Sequence, residues 1–379
     1  MALSNMTEAR SNRDEALKAL YAEMKRENLI GYWATSKDVD NDEDQQVRGA
    51  PTAVPYLWRY AQTLGPLLQR SAELITMDDS ERRSLVLVNP ALAPRRATVS
   101  TLYTAYRLND PNEIMPPHRH TASAVRLGLT GNQNFTGVEG EDITFGPGDL
   151  VLTPRDTWHN HGNLGGEPAV NLSILDLPLI EHLNALTFEH NYTENGEKRR
   201  VQTARFTPDH SARTYGYGGY RPRFYDHQRG AGDSSPMFVY RYDEMREILE
   251  KHKDWDGASP EGLVVEYVDP VRGGPVFKTM TFFMQMLRPG EKTMPINQTA
   301  SLVMAPFEGS GYSLINGQRF DWSPFDALAV PAGTWVEHVN GSDKAPAILF
   351  IASDEPALNA FGLLRRVART ASGETVRIV

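Results

Sequence analysis

The strongest constraint on the fold of this chain is an internal repeat. The stretch PGDLVLTPRDTWHNHGN (147–163) aligns with PFDALAVPAGTWVEHVN (324–340), and seven residues are identical at a constant offset of 177. Seven identities at one offset in so short a window indicate a duplication, so the chain should contain two copies of one domain. The matched pairs are Pro147 and Pro324, Asp149 and Asp326, Pro154 and Pro331, Thr157 and Thr334, Trp158 and Trp335, His161 and His338, and Asn163 and Asn340.

The repeated domain is predicted to consist of β-strands. Short apolar segments such as RRSLVLVNP and ASAVRLGLTG alternate with Gly, Pro, Asn and Asp from about residue 82, and similar sequence returns at about 262–352. Short strands separated by turn residues are typical of a β-barrel or sandwich. We expect four parts: a helical N-terminal arm (1–80), a first barrel (81–184), a linker or functional loop (185–240), and a second barrel with a terminal helix (241–379). Helical spacing of apolar residues is found at about 12–28, 61–77 and 242–254.

Composition excludes several classes of function. The chain has 379 residues and no cysteine, which rules out disulfides, thiolate metal sites and cysteine nucleophiles. Its formal net charge of -9 gives no indication of nucleic-acid binding. No continuous apolar run is long enough to span a membrane, and the N-terminus lacks the apolar core of a signal peptide. We therefore expect a soluble cytoplasmic protein without a nucleic-acid or membrane partner.

Three histidines of the first repeat form a candidate metal site. His118 and His120 in PPHRHTASAVRLGL are two residues apart, so in a strand they project from one face, and His159 follows about forty residues later. Three imidazoles can hold a cation and leave positions open for substrate. At the offset of 177 the second repeat has other residues, which favours chemistry over packing for the histidines. Those residues are Pro295, Asn297 and Val336.

These motifs resemble the cupin superfamily, and within it the gentisate 1,2-dioxygenase family, which also holds salicylate and 1-hydroxy-2-naphthoate dioxygenases. The resemblance spans roughly residues 18–365 in order. It rests on ALYAEMKRENLIGYW, AVPYLW, ERRSLVLVNP, PPHRHTASAVRL, GDLVLTPRDTWHNHGN, LDLPL, SPMFVYRY and YVDPVRGG. It implies a mainly β bicupin, with two jelly-roll (double-stranded β-helix) barrels and a helical N-terminal arm, assembled as a homotetramer.

The resemblance also implies an activity. The expected enzyme is a non-haem Fe(II) dioxygenase that opens an aromatic ring with O2 between the carboxyl-bearing carbon and its hydroxyl-bearing neighbour. His118, His120 and His159 would hold one iron per chain. The substrate would be a small aromatic 2-hydroxycarboxylate such as gentisate, salicylate or a 5-substituted salicylate.

Further site residues follow from the family match. Arg126 and Arg82 would bind the substrate carboxylate, because guanidinium matches two oxygens. His161 would be catalytic, moving a proton at the ring hydroxyl or bound oxygen. Arg126 could instead be a structural ion-pair partner, Arg82 or Arg83 a surface charge, and His161 a structural residue near a turn.

The chain departs from the family pattern in its expected pocket. Where the family commonly has a Trp, then Gly or Ala, then Ile-Gln, this chain has Tyr103, Ala105 and Arg107, and a family Asp is replaced by Ser173. A buried guanidinium needs a partner, so Arg107 suggests a further anionic or strongly polar ring substituent, such as 5-nitro, 5-amino or 5-hydroxy.

Two alternatives remain open at this point. One is another metal-dependent cupin enzyme, an isomerase or a zinc hydrolase, since three histidines also suit Zn(II). A manganese oxalate-degrading cupin usually has a Glu after the histidine pair, and HRHTASAV has none. The other is a non-catalytic bicupin that binds a small molecule.

Overall fold

The computed structural model describes residues 2–27, 29, 52–76, 79–80, 83–223, 229–255 and 260–378. Residues 1–51 and 52–379 are separate compact units. The first contains the helix α1 (Ala2–Arg26), which begins earlier than the helix expected at about 12–28. Among the described residues, no helix has both the length and the apolar character that crossing a bilayer requires.

The second unit is mainly β. Its helices are α2 (Gly65–Leu74), α3 (Leu177–His182), α4 (His210–Tyr215), α5 (Tyr242–His252) and α6 (Glu355–Ala360), and a π-helical turn (Tyr60–Leu64) precedes α2. The strands are β1 (Tyr56–Trp58), β2 (Ser84–Val86), β3 (Tyr103–Asn109), β4 (Arg119–His120), β5 (Ala124–Thr130), β6 (Asn134–Val138), β7 (Glu141–Phe145), β8 (Leu150–Thr153), β9 (His159–Asn163), β10 (Ala169–Leu175), β11 (Phe188–Glu189), β12 (Thr193–Glu194), β13 (Glu197–Lys198), β14 (Val239–Tyr240), β15 (Leu263–Glu266), β16 (Thr281–Leu287), β17 (Ile296–Gln298), β18 (Leu302–Glu308), β19 (Gly311–Ile315), β20 (Gln318–Trp322), β21 (Ala327–Val330), β22 (Trp335–Asn340), β23 (Ala347–Ser353), β24 (Arg366–Arg369) and β25 (Thr375–Arg377).

The strands form two equivalent double-sheet barrels, as the repeat predicts. The first barrel has a six-stranded sheet, β14-β8-β5-β10-β3-β2, and a three-stranded sheet, β7-β6-β9. The second has β1-β21-β18-β23-β16-β15 and β20-β19-β22-β17-β24-β25. One six-stranded sheet of each barrel, called here its large sheet, includes an edge strand from outside its own barrel region, since β1 pairs with β21 and β14 pairs with β8.

Side chains along a strand of a large sheet point alternately to its two faces, so one face packs in the hydrophobic core and the other faces the interior of the barrel. On β3, Tyr106 and Leu108 belong to a buried apolar cluster that also contains Phe282 and Phe350 of the second barrel. Residues two apart on a strand share a face, so the odd-numbered residues of β3 face the other way, into the first barrel. The two large sheets therefore pack against each other through their outer faces, and their inner faces remain available to line cavities.

The aspartate shared by the two repeats makes an equivalent backbone contact in each barrel. Asp149 accepts a hydrogen bond from the backbone N–H of Tyr242 at 2.9 Å, and Asp326 accepts one from the N–H of Tyr60 at 2.7 Å. Both donors lie beside the edge strands that the barrels exchange. The matched aspartates thus attach each exchanged segment to its barrel, which is a structural reason for the duplication to have kept them.

The backbone pairing corrects the expected alignment of the histidines by one residue. His118 pairs with His159, and in the second barrel Ile296 pairs with Val336. The turn between β18 and β19 is one residue shorter than the turn between β5 and β6, so the offset of 177 does not extend back to the histidine pair. The counterparts of His118 and His120 are therefore Ile296 and Gln298. Pro295 and Asn297 were the wrong match.

The terminal helix, predicted over EPALNAFGLLRRVART (355–370), is shorter than that and does not close the chain. The helix α6 ends near Gly362, which has a positive φ of 69° and accommodates the left-handed turn that commonly ends helices. The N–H of Leu363 then bonds back to the carbonyl of Leu358 at 2.8 Å. Beyond this turn the chain forms β24 and β25, which extend the sheet of the second barrel that contains β17.

Candidate metal centre and substrate cavity

The three predicted histidines converge inside the first barrel. His118 precedes β4, His120 ends it and His159 begins β9. The backbones of His118 and His159 exchange two hydrogen bonds of 2.9 Å, which sets the strands side by side. One ring nitrogen from each histidine lies within 4.8 Å of the others, and all three residues are buried. This is the one group of three or more His, Asp or Glu side chains with metal-binding geometry among the described residues.

Hydrogen bonds to the backbone orient the imidazole rings. Nδ1 of His120 lies 2.7 Å from the carbonyl of Ala122, and Nδ1 of His159 lies 2.8 Å from the carbonyl of Thr157. A ring that donates from Nδ1 presents the lone pair of Nε2, which is the form that binds a metal. Nε2 of His159 is buried without a hydrogen-bond partner among the described residues. A cation at the centre of the three rings would satisfy it, so the donor set fits a bound divalent metal.

Burial keeps the imidazoles of His159 and His161 neutral. The pKa of His159 is lowered well below the usual value, first by desolvation and then by the neighbouring His118, His120 and Arg126. The pKa of His161 is lowered in the same way by desolvation, with Arg126 as the next contribution. A neutral imidazole needs no deprotonation before it binds a cation, so both residues are in the ligating or proton-accepting form at neutral pH.

His161 lies beside the three histidines and not among them. Its Nδ1 is 3.1 Å from Oγ1 of Thr136, and its ring centroid is 5.6 Å from that of His118. Its Nε2 is buried and has no hydrogen-bond partner among the described residues. The counterpart His338 makes the same contact with Ser313, at 2.9 Å. The Nδ1 contact thus belongs to the repeated fold, whereas the setting of Nε2 beside three histidines is specific to the first barrel.

A cavity of about 190 Å³ opens beside the histidines and contains most of the predicted substrate residues. Three arginines contribute to its wall, and no carboxylate does among the described residues that line it. The cavity is therefore suited to an anionic ligand with an apolar ring. Its lining includes Tyr103, Ala105, Arg107, Arg126, Ser173, His118, His120 and His161, which were expected there, and Arg96, Met115, Leu186 and Phe188, which were not.

Neighbouring polar side chains hold the two buried arginines. Nε of Arg107 donates to Oδ1 of Asn109 at 2.6 Å, and Nη1 of Arg126 donates to Oγ1 of Thr153 at 3.1 Å. Ser173 pairs across the sheet with both Ala105 and Arg126. Its small side chain lies where a larger acid would compete for the guanidinium of Arg126.

Of the neighbouring arginines Arg82 and Arg83, the structure describes only Arg83, which has a structural role. Arg83 is buried and forms ion pairs with Glu113 and, at 2.8 Å, with Asp110. It is therefore not a surface charge. Arg82, the predicted carboxylate ligand, lies outside the described residues.

Phe188 was not predicted and covers the histidines. Its strand β11 pairs with β4, and its ring stacks on His118 with a centroid distance of 5.5 Å and an interplanar angle of 12°. The region at 185–240 thus begins by lining the cavity. A sequence signal for this contact was available only in the position of the residue, just after the first barrel, because Phe188 and His118 lie 70 residues apart in the chain.

Comparison with known proteins agrees with this geometry. The Cupin domain family matches residues 109–175. A 5-aminosalicylate 1,2-dioxygenase from Comamonas sp is 34% identical over 94% of this chain and 91% of its own length. A gentisate 1,2-dioxygenase from Streptomyces sp is 32% identical over 97% of this chain and 99% of its own length.

Solved structures lead to the same group of proteins. A salicylate 1,2-dioxygenase from Pseudoaminobacter salicylatoxidans, crystallised with gentisate, superimposes with a TM-score of 0.82 at 27% identity. The match covers 93% of this chain and 94% of that one. The two-barrel fold is therefore shared along almost the whole length of both proteins.

Proposed function

This chain belongs to the family of gentisate 1,2-dioxygenases and their salicylate, aminosalicylate and hydroxynaphthoate relatives, and from that premise we propose that it opens the ring of a 2-hydroxybenzoate with O2. The bond cleaved lies between the carboxyl-bearing carbon and the hydroxyl-bearing carbon, and both oxygen atoms enter the product. The observation that carries the proposal is the buried histidine triad beside a cavity lined by arginines and no described carboxylate.

The proposed metal is one Fe(II) per chain, held by His118, His120 and His159. Three neutral nitrogen donors suit Fe(II) and leave coordination positions open. When bound, the iron would supply a place for substrate and O2 together and a route for electrons between them. Phe188 packs over the His118 ring. An isomerase, a zinc hydrolase or a pure binding protein has less support, because the relatives are dioxygenases.

Arg126 is the proposed anchor for the substrate carboxylate, with Arg82 as a second. The guanidinium of Arg126 is buried at the cavity wall and donates one N–H to Thr153. A guanidinium is a planar fork of donors that matches carboxylate oxygens. Held this way, the ring of the substrate lies against Tyr103 and Ala105.

Arg107 is the proposed determinant of the ring substituent. It is buried at the cavity wall and the family amide is replaced there by a permanent cation. We expect Arg107→Gln to reduce the ratio of kcat/KM for 5-nitrosalicylate over salicylate by roughly tenfold or more, since a hydrogen bond to a charged group contributes about 1.5–3 kcal/mol. Steady-state O2 uptake with both substrates measures the ratio. An unchanged ratio in a variant that still turns over salicylate would remove Arg107 from this role.

His161 is the proposed proton acceptor at the substrate hydroxyl. We expect His161→Gln to keep its iron and lower kcat by about a hundredfold, the lower end of the range for a general base. Thr136→Val should lower kcat less, because it loosens the Nδ1 contact and leaves the ring in place. Iron content and kcat are measured for both variants. Loss of iron in His161→Gln would instead mean that His161 is a ligand.

The proposed function is tested by anaerobic loading with Fe(II) followed by O2 uptake on a substrate panel. The panel contains gentisate, salicylate, 5-aminosalicylate, 5-nitrosalicylate, 1-hydroxy-2-naphthoate and catechol. We expect stoichiometric uptake with at least one 2-hydroxycarboxylate and none with catechol, which lacks the carboxylate. No uptake with any of them, with one iron bound per chain, would overturn the proposal and favour another metal-dependent cupin reaction.

We also propose an oligomeric state and a role for each region of the chain. We infer a homotetramer in the cytoplasm. We also assign the metal site to the region 81–184 and a stabilising role to the barrel of 241–379, with 1–80 as an arm and 185–240 as a loop over the site.

A further inference from the structure

The second barrel has a cavity in the place that the substrate cavity occupies in the first. Its volume is about 220 Å³, against about 190 Å³ in the first barrel. Strand pairing matches Gln298 with His120 and Gln285 with Arg107. The metal ligands are gone, yet the space that they faced has not been filled by larger apolar side chains. A cavity kept open with polar walls is a candidate binding site.

Two buried amides line this cavity with unused hydrogen-bonding groups. Gln285 is 2% exposed, its Nε2 donates to the carbonyl of Glu261 at 2.6 Å, and its Oε1 has no partner among the described residues. Gln298 is 5% exposed, its Oε1 accepts from Nε of Arg366 at 2.9 Å, and its Nε2 likewise has none among the described residues. An unmatched buried polar atom is destabilising, so an occupant that accepts from Gln298 or donates to Gln285 would stabilise the barrel.

The charge of this cavity is opposite to that of the first. Among the described residues, its wall contains Glu261, Glu266 and Glu355 and a single cation, Arg366. Arg366 is held by an ion pair with Glu261, and its Nε is 3.7 Å from Glu355. One guanidinium cannot neutralise three carboxylates. The cavity therefore disfavours the aromatic carboxylate that the first cavity accepts, and it favours a cation.

Glu355 is the carboxylate best placed to meet such a cation. Its side chain is 15% exposed, and its ion pair among the described residues is the 3.7 Å contact with Nε of Arg366. Burial raises the pKa of Glu355 to about 7, with Glu261 and Glu266 adding to the effect and Arg366 opposing it. A positive charge beside this carboxyl would favour its ionised form and gain a charge-assisted hydrogen bond.

We propose that the second barrel binds a small organic cation, a primary ammonium group on an apolar body of about one ring, at a site formed by Gln285 and Glu355. The ammonium donates to Glu355 and to Oε1 of Gln285. The apolar body packs on side chains such as Val264, Phe283 and Ile351, which line the same cavity. The volume suffices, because an engineered apolar cavity of about 150 Å³ holds benzene.

Benzylamine is the probe and benzoate, of nearly equal size and opposite charge, is its matched control. Binding to the full-length iron-loaded protein is measured by calorimetry under nitrogen, with salicylate present to fill the first cavity. We expect one benzylamine per chain and no benzoate bound under the same conditions. Glu355→Gln should weaken benzylamine about tenfold or more, because it removes the charge and keeps the shape.

Val264→Phe gives a second test that does not depend on charge. Val264 lies on β15, whose one described neighbour is β16, so a larger ring can be accommodated there with less disturbance than in the barrel centre. It should reduce benzylamine binding and leave salicylate-dependent O2 uptake unchanged. The proposal is overturned if the wild-type protein does not bind benzylamine, or if both variants bind it as the wild type does. Neither result bears on ring cleavage, which is measured separately.

Discussion

Replacing His159 with alanine is expected to abolish iron binding and ring cleavage together. His159 is fully buried, its Nδ1 is fixed by the carbonyl of Thr157, and its Nε2 has no other described partner. Removing a residue that merely supports a ligand costs about 10- to 100-fold in metal affinity, so removal of the ligand should exceed that. Iron content after anaerobic loading and gel filtration, together with O2 uptake, measures both effects.

The duplicated barrel supplies a control at the same structural position. Val336 is the counterpart of His159, since it pairs with Ile296 as His159 pairs with His118. Val336→Ala removes a buried side chain and should lower the melting temperature while iron content and kcat stay at wild-type values. If His159→Ala retained one tightly held iron per chain, the three-histidine site would be wrong. If Val336→Ala lost iron as completely, the effect would reflect folding and not coordination.

Replacing Arg126 with alanine is expected to raise KM for salicylate by between roughly 30-fold and 4,000-fold. The estimate corresponds to about 2–5 kcal/mol, the usual cost of removing one partner of a buried charge pair. The buried arginine lies at the cavity wall and is the proposed partner of the substrate carboxylate. Arg126→Lys should fall between the wild type and the alanine variant, because a lysine keeps the charge but lacks the fork. Steady-state kinetics and anaerobic substrate titration measure the loss.

Arg119 provides the matched control for charge. It lies between His118 and His120 but is partly exposed and pairs with Glu189 at 2.8 Å. Arg119→Ala should therefore leave KM within a factor of about two, since exposed ion pairs contribute little. A variant Arg126→Ala with unchanged KM and reduced kcat would mean that Arg126 acts on the reaction and not on capture of the carboxylate.

The metal site could be predicted from sequence because it depends on short-range patterns. The spacing of His118 and His120 predicts a common direction, and the position of His159 in the repeated motif predicts a strand that returns beside them. The pocket residues Tyr103, Ala105 and Arg107 could also be predicted from the sequence, because alternate residues of a strand lie on the same face. All of these residues lie where they were expected.

What could not be predicted depends on turn lengths and long-range contacts. One residue fewer between β18 and β19 shifted the counterparts of the histidine pair to Ile296 and Gln298, and identities confined to 147–163 and 324–340 carry no information about that turn. Phe188, which contacts His118, follows α3 in the chain and lies 70 residues after that histidine. The partner of His161, Thr136, lies on a neighbouring strand, and strand neighbours are not determined by local sequence.

The central claim is that this protein inserts both atoms of one O2 molecule as it cleaves the ring between the carboxyl-bearing and hydroxyl-bearing carbons. The most direct measurement uses the Fe(II)-loaded protein under ¹⁸O₂ with the best substrate of the panel, followed by mass spectrometry and NMR of the product. We expect a ring-opened acid that carries two heavy oxygen atoms. A product with an intact ring, or one with a single heavy oxygen atom before any exchange with water, would contradict the claim.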